Sequence, residues 1–528
     1  MDIQVIPGTI QESDADAIVV NLFEDTQPGG ATKAVDEGLG GAIRDLIDGG
    51  DFSGQAGQVA VLYPRGAIPA RRVIVVGLGP REEFDADPAD AVRRAAARAI
   101  QKARDLKAQR VASILHGAGA GGLSVEAAAQ ATTEGSLLGL YEYRGQKAGD
   151  PPDSLPHSLE LMIFREQDVP TAQRGVDAGR DIAAGVTLTR DLVNLPPNLC
   201  TPAHMAQVAT DVAAEVGLRV EVLGREEMEA LHMGALLAVA QGSDTPPRFI
   251  VLEHNASRAD ELDTIVLVGK GVTFDTGGYS LKPKESMKGM KADMAGAAAV
   301  IGTMATIGKM AAMGMLDVEL HVVGLAPAAD NMISGHSYRP EEVVTASNGV
   351  TIEINSTDAE GRMLLADALV YAERFQPAAV VDVATLTGAC VVALGRGVAA
   401  GLFSTDDGLR EALLAASAAT AEKLWPMPLF PEYEKALESQ TADIRNSGTR
   451  TDGVGSSATF LRHFVAGPAW AHVDMAGMAQ EARDNPYVPG KGATGFGVRL
   501  LTEFLRRWAQ GRPTSAPSAG TPTSPARR

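Results

Sequence analysis

Thr264-Ile265-Val266-Leu267-Val268-Gly269-Lys270-Gly271-Val272-Thr273-Phe274-Asp275-Thr276-Gly277-Gly278 decides how the rest of the chain is read. An apolar, β-branched run, Thr264–Val268, ends among glycines that carry charged side chains between them. The pattern recurs at Val350–Ile354, followed by Asn355-Ser356-Thr357-Asp358-Ala359-Glu360-Gly361-Arg362. A short apolar run bounded by turn residues reads as a buried strand. In open α/β sheets ligands bind at the ends of such strands. Charges at these exits therefore mark a candidate site. It continues through Lys282 to Met290-Lys291-Ala292-Asp293-Met294.

Working outward, strands are predicted at Arg219–Leu223, Arg248–Glu253, Val318–Leu325, Ala378–Ala384 and Ala471–Met475. Helices are predicted at Ala203–Val216, Ala292–Met310, Arg362–Phe375, Gly408–Glu422 and Gly495–Trp508. This alternation implies an α/β domain over 198–510 with a central mixed sheet. Before it, 1–166 carries strand patterns at Ile3–Ile6, Ala17–Asn21, Val59–Tyr63, Arg72–Val76, Val111–His116 and Leu159–Arg165. Helical spacing lies between them at Thr32–Ile47, Asp87–Ala108 and Val125–Leu140, giving a separate α/β domain. Gly77-Leu78-Gly79 lacks the third glycine of a nucleotide fingerprint and reads as a turn. Residues 167–197 read as a linker helix stopped by Pro196-Pro197. The tail, 511–528, is rich in Pro, Thr, Ser, Ala and Arg and is expected to be disordered.

A chain of 528 residues exceeds one core, which agrees with two domains. No uninterrupted apolar run matches a membrane span, and Met1–Ile6 lacks the pattern of a secretory signal. Cys200 and Cys390 are the only cysteines, which fits a reduced, cytoplasmic compartment. A formal charge of −19 argues against a nucleic-acid-binding face.

Asp275, Asp293, Asp358 and Glu360 would repel one another if they converge. Two divalent cations would balance them. Oxygen-rich ligation without histidine suits Zn²⁺, Mn²⁺, Mg²⁺ or Co²⁺ and does not choose among them. Asp358, Glu360 and Arg362 are spaced by two, so an extended segment would present all three on one face. Lys284, Lys288 and Lys291 read as solvated charges. Asp382 reads as a partnered buried acid, His321 and His336 as structural, and Cys390 as core. The H-E-x-x-H, G-x-S-x-G and P-loop motifs are absent.

These motifs closely resemble the leucine aminopeptidase (cytosol aminopeptidase) family. Its N-T-D-A-E-G-R-L signature corresponds to Ser356–Met363, with Ser356 in place of Asn and Met363 in place of Leu. Its G-K-G-x-T-F-D-x-G-G-x-x-L-K-P block is intact from Gly269 to Pro283, and its M-K-x-D-M block from Met290 to Met294. Similarity extends to Arg190–Asn194, Thr385–Gly388, Ala442–Asn446, Trp470–Asp474 and Gly492–Gly497. The resemblance implies a macro-like N-terminal domain and a catalytic domain holding two metal ions per subunit. It implies that Asp275 and Glu360 bridge the metals, with Asp358 completing one site and Lys270 and Asp293 the other. A hydroxide between the metals would attack the first peptide bond.

By the same resemblance Lys282 would stabilise the oxyanion and Arg362 would hold a bicarbonate acting as general base. Met290, Thr385, Leu386 and Gly388 would shape the pocket for the first side chain. Substrates would be peptides with a free N-terminal amine, leucine and other apolar residues leading, and the assembly a homohexamer. Ser356, beside a ligand, is expected to influence that pocket. Two rivals are a two-metal phosphoesterase and a binding protein built on the N-terminal half.

Overall fold

Runs of valine and isoleucine without polar alternation need cover on both faces. Two of them, Ala17–Leu22 and Val73–Gly77, are adjacent interior strands of the first sheet. The structure, a computed structural model, describes residues 1–148, 155–314, 319–449, 451–482 and 484–511. The tail expected to be disordered lies outside them from residue 512 onward.

The first sheet contains β1 (Asp2–Pro7), β2 (Ala17–Leu22), β3 (Val59–Leu62), β4 (Val73–Gly77), β5 (Arg110–Ile114) and β6 (Ser158–Ile163). The order is β1-β6-β5-β2-β4-β3. All neighbours are parallel except β3, which runs antiparallel to β4. The predicted helix Thr32–Ile47 is two helices, Gly30–Gly38 and Ala42–Asp48. Gly40 and Gly41, at φ +67° and +95°, break it in a left-handed turn. Gly77 is explained by packing: a Cβ there would stand 2.0 Å from the Gln55 carbonyl oxygen. Gly79 donates to the Gly54 carbonyl. The glycines of Gly77-Leu78-Gly79 thus admit a neighbouring loop, and no phosphate cradle is formed.

The linker helix runs from Val169 to Asn194 and stops before Pro196. Its small residues fasten the two halves of the chain. A Cβ on Gly175 would lie 2.2 Å from the Glu126 carbonyl oxygen, so this end presses onto the helix Val125–Gly139. One on Gly185 would lie 2.1 Å from Thr306 Oγ1, so the other end presses onto the helix Ala295–Ala312. Thr189 Oγ1 donates to the Ala298 carbonyl at 3.0 Å. The helix Ala295–Ala312 has the length and apolarity of a membrane-crossing segment, yet it is largely buried within the protein. Its glycines and alanines are what permit the close approach.

The second sheet has nine strands: β7 (Arg219–Leu223), β8 (Arg248–His254), β9 (Asp263–Gly269), β10 (Gly271–Asp275), β11 (Leu320–Asn331), β14 (Ala379–Ala384), β15 (Ala400–Ser404), β16 (Leu424–Pro426) and β18 (Ala469–Asp474). The order is β16-β15-β18-β14-β9-β11-β8-β7, with β10 also on β11. A small third sheet joins β12 (Val343–Thr345), β13 (Thr351–Glu353) and β17 (Ile444–Arg445). The strands β18, β14, β9 and β11 are neighbours and parallel, so their carboxyl ends share one edge.

β11 extends beyond the predicted Val318–Leu325, whose first residue lies outside the described residues. Its pairing with β9 ends at Leu325, and its pairing with β10 begins at Ala328. Pro327 falls between, where its missing N–H interrupts neither ladder.

Candidate active site

Four strand ends supply the first side chains. Lys270 follows β9, Asp275 closes β10, Asn331 closes β11 and Thr385 follows β14. Lys270 is anchored through its backbone, its N–H donating to Val383 and its carbonyl accepting from Ala297 N–H. Its ammonium reaches Asp293 Oδ1 at 2.7 Å and Glu360 Oε1 at 3.0 Å, and donates to the Thr385 carbonyl at 3.0 Å. Asp293 lies just ahead of the helix Ala295–Ala312, and Thr385 Oγ1 donates to its Oδ1 at 2.8 Å. A second pair stands beside the first. Lys282 Nζ lies 2.8 Å from Asp275 Oδ2 and 2.5 Å from Asp358 Oδ1.

The loop carrying Asp275 and Lys282 is joined to the loop carrying Asp358 and Glu360. Gly277 and Gly278, at φ +84° and +59°, turn the chain after β10. Thr357 Oγ1 donates to the Gly277 carbonyl and accepts from Ser280 N–H, both at 2.7 Å. Asn331 Nδ2 donates to Asp275 Oδ1 at 2.8 Å and to the Thr357 carbonyl at 3.0 Å, so one amide orients the acid and holds the joint. Asn331 and Thr357 carry no charge and escape a reading that searches for charges. Thr357 lies inside the Asn355–Arg362 motif, which was the available signal, whereas nothing in the sequence brings Asn331 to it.

The period-two face expected for Asp358, Glu360 and Arg362 is not formed. A helix begins at Glu360 and runs to Ala372, so Glu360 and Arg362 lie in its first turn. A carboxylate is favoured at a helix start, and here that preference overrides the extended reading. Glu360 turns toward Lys270. Arg362 instead donates from Nη1 to the Asn446 carbonyl at 2.8 Å and from Nη2 to Ser457 Oγ at 2.7 Å. Among the described residues it forms no ion pair with Asp358 or Glu360, and its buried Nε–H has no partner.

Burial opposes charge throughout this cluster. It raises the carboxyls of Asp275 and Asp293, and Glu360 adds to both while Lys270 pulls them down. Burial alone would lower Lys270 and Lys282. The surrounding carboxylates, Asp293 foremost for Lys270 and Asp275 for Lys282, outweigh it and raise both. Burial pulls Arg362 down to about 10, against Glu360 and Asp474.

The donor set fits divalent cations. Asp275, Asp293 and Glu360 each offer an oxygen, all lying within 4.8 Å of one another, and all three residues are buried. Asp293 Oδ2 and Glu360 Oε2 have no hydrogen-bond partner. Buried carboxylate oxygens without a donor are costly, and a hard cation satisfies them.

A cleft of about 430 Å³ opens over these groups, and the structure brings all the expected site residues to it. Met290, Thr385, Leu386 and Gly388 line it, as do Ser447, Gly448 and Ser457 with Arg362. Ser356 is absent from the lining and pairs with Asn446 through its backbone, while its Oγ accepts from Asp358 N–H at 3.2 Å, so it touches the cleft only through Asp358. Lys291 also departs from its solvated reading: it is half-buried and donates to the Asn194 carbonyl at the end of the linker helix. Asp382 is the partnered buried acid expected, receiving Trp470 Nε1–H at 2.8 Å and facing His472 Nδ1 at 2.5 Å.

Two family profiles match the chain. Residues 187–502 match the cytosol aminopeptidase family, catalytic domain, and residues 19–149 match that family's N-terminal domain. A protein of Roseiflexus castenholzii named "Probable cytosol aminopeptidase" is 44% identical over 97% of this chain and 100% of its own length. One so named from Geotalea uraniireducens is 43% identical over 93% and 96%. Among solved structures, a tomato leucine aminopeptidase mutant superposes with a TM-score of 0.83 at 33% identity, covering 96% of each chain. The bottromycin maturation enzyme BotP in complex with Mn gives 0.80 at 34% identity, over 94% of this chain and 100% of that one.

Proposed function

The chain belongs to the cytosol aminopeptidase family and is a metal-dependent leucyl aminopeptidase, and from that premise we propose how its own residues perform the hydrolysis. Asp275 and Glu360 would hold two divalent ions jointly, Asp358 completing one site and Lys270 with Asp293 the other. The observation that carries this reading is the pair of buried, partnerless oxygens, Asp293 Oδ2 and Glu360 Oε2, beside two ion-paired lysines. Lys270 would serve as a ligand only as a neutral amine, so loading displaces its proton. When bound, the ions supply Lewis acidity to the scissile carbonyl and acidify the attacking water.

The remaining work falls to side chains. Lys282 donates to the oxygen that becomes negative when the first peptide carbonyl is attacked. Arg362, fixed by Asn446 and Ser457 with its Nε–H left free, holds an anion such as bicarbonate that receives the proton of the attacking water. A guanidinium fork suits such a planar oxyanion. The substrate's free amine is drawn to the carboxylate-rich end at Asp275 and Asp293, and its first side chain lies along the Met290, Thr385, Leu386 and Gly388 wall. That wall is largely apolar, which supports release of leucine and similar residues.

Zinc or manganese would fill the sites, magnesium or cobalt being the other ions the donor set accepts. The Mn complex of BotP supports manganese. A homohexamer, a cytoplasmic location and a division at 1–166, 167–197 and 198–510 complete the reading. Support comes from the family, two free buried cysteines, and two sheets joined by the helix Val169–Asn194.

Hydrolysis of leucinamide after chelation, and after reloading with Zn²⁺, Mn²⁺ or Co²⁺, tests the function. Activity is expected to vanish on chelation and return with metal. Undiminished turnover by fully chelated protein would overturn the assignment.

A further inference from the structure

The charged side chains lining the cleft are Lys270, Asp275, Lys282, Asp293, Asp358, Glu360, Arg362 and one more, Arg396. The two lysines are matched to carboxylates, and Arg362 is fixed by Asn446 and Ser457. Arg396 is exposed and, among the described residues, has neither a hydrogen-bond nor an ion-pair partner.

Its backbone is nonetheless held. Gly395 and Gly397, at φ +84° and +69°, frame it in a left-handed turn that few other residues adopt. Gly397 N–H donates to the Gly477 carbonyl at 2.8 Å. The turn ends the helix Gly388–Leu394, whose Gly388, Ala389 and Val391 face the cleft. Gln480, which also lines the cleft, donates to the Gly289 carbonyl, next to Met290. Arg396 thus lines the same cleft as Thr385 and Gly388, just past the helix that starts at Gly388. It lies beyond about 9 Å of helical rise from Gly388.

We propose that Arg396 is a specificity-determining residue that pairs with a carboxylate on the substrate's first side chain, so that the enzyme takes N-terminal glutamate as well as apolar residues. The inference rests on the aminopeptidase reading and adds a substrate class to it. A half-solvated ion pair is worth little in absolute terms. It discriminates chiefly between isosteric side chains with and without charge, by roughly three- to tenfold.

The test compares kcat/KM for glutamyl and glutaminyl p-nitroanilides in metal-loaded wild type and Arg396→Gln. The glutamyl-to-glutaminyl ratio should fall three- to tenfold in the variant. In Arg396→Glu the preference should invert, raising the lysyl-to-methionyl ratio. Ratios unchanged in both variants would overturn the proposal. So would an effect confined to Leu-Asp-amide against Leu-Asn-amide, which would put the recognised carboxylate on the second residue. Leucyl p-nitroanilide separates the two levels. A metal-loaded wild type that fails to cleave it removes the aminopeptidase reading and this proposal together. Normal cleavage with unmoved ratios removes only the proposal.

Discussion

A Cβ on Gly361 would stand 2.3 Å from Cε and 2.6 Å from Nζ of Lys270. The glycine between Glu360 and Arg362 is therefore the space through which Lys270 reaches Asp293 and Glu360. The helix that carries two functional side chains is shaped around a third from another strand.

Gly361→Ala should accordingly damage the site more than the fold. Overpacking of this kind costs about 1–3 kcal/mol, and the far end of Lys270 moves more readily than either backbone. Activity should fall at least tenfold while the melting temperature drops by only a few degrees. Leucinamide hydrolysis and calorimetry on one preparation check both; full activity would show that Lys270 need not occupy this position.

Asn331 offers a second test at one remove from the reacting groups. Its Nδ2 holds Asp275 Oδ1 and the Thr357 carbonyl together. Asn331→Leu keeps the volume and deletes the donor. Removing a partner that orients a ligand typically costs 10–100-fold in metal affinity. Competition with a chelating dye measures this directly, and an unaltered affinity would show that Asp275 is positioned without Asn331.

How much of this was legible beforehand varies by residue. The β9 strand and its charged exit were plain, because a buried parallel strand is an unbroken apolar run and glycines mark where it turns. Lys270, Asp275, Lys282, Asp293, Asp358, Glu360 and Arg362 all reach the cleft as expected. The conformation of Asp358–Arg362 was not legible, since three residues at spacing two fit a strand and a helix start alike. Asn331 was hidden for another reason. Its strand outruns the hydrophobic pattern, through Pro327, to pair with β10, and such a non-local pairing leaves no periodicity. Arg396 lies in a loop whose flanking glycines show a turn but not what the turn faces.

Arg362 bonds to a backbone carbonyl and a hydroxyl, so its loss should spare the metals. Arg362→Ala is expected to keep two ions per subunit, lose most activity, and lose any response to bicarbonate. Arg362→Lys should rescue poorly, lacking the planar fork. Rates in carbonate-depleted buffer, with and without re-addition, check this. A wild-type rate indifferent to verified depletion would remove the anion from the mechanism.

Away from the site, Asp181 on the linker helix is buried with Oδ2 unpartnered. Burial raises its carboxyl to about 6, Lys309 opposing and Asp177 adding to the shift. A raised acid binds its proton more tightly in the folded chain. Its stabilising contribution is therefore complete below the ordinary carboxylate range and is lost as pH rises through about 6. Asp181→Asn should melt a few degrees above wild type near pH 8, and the gap should narrow below pH 6 and close toward pH 4. An equal gap at both pH values would show that ionisation of Asp181 is not the cause.

The central claim is that Asp275, Asp293, Asp358, Glu360 and Lys270 together hold two ions and that hydrolysis needs both. Titrating Mn²⁺ into chelated protein, with bound metal and leucinamide turnover read on the same samples, addresses it most directly. Two ions per subunit should bind, turnover should reach its maximum only as the second site fills, and Glu360→Ala should abolish both. Full activity at one ion per subunit, or two ions retained by Glu360→Ala, would contradict the account.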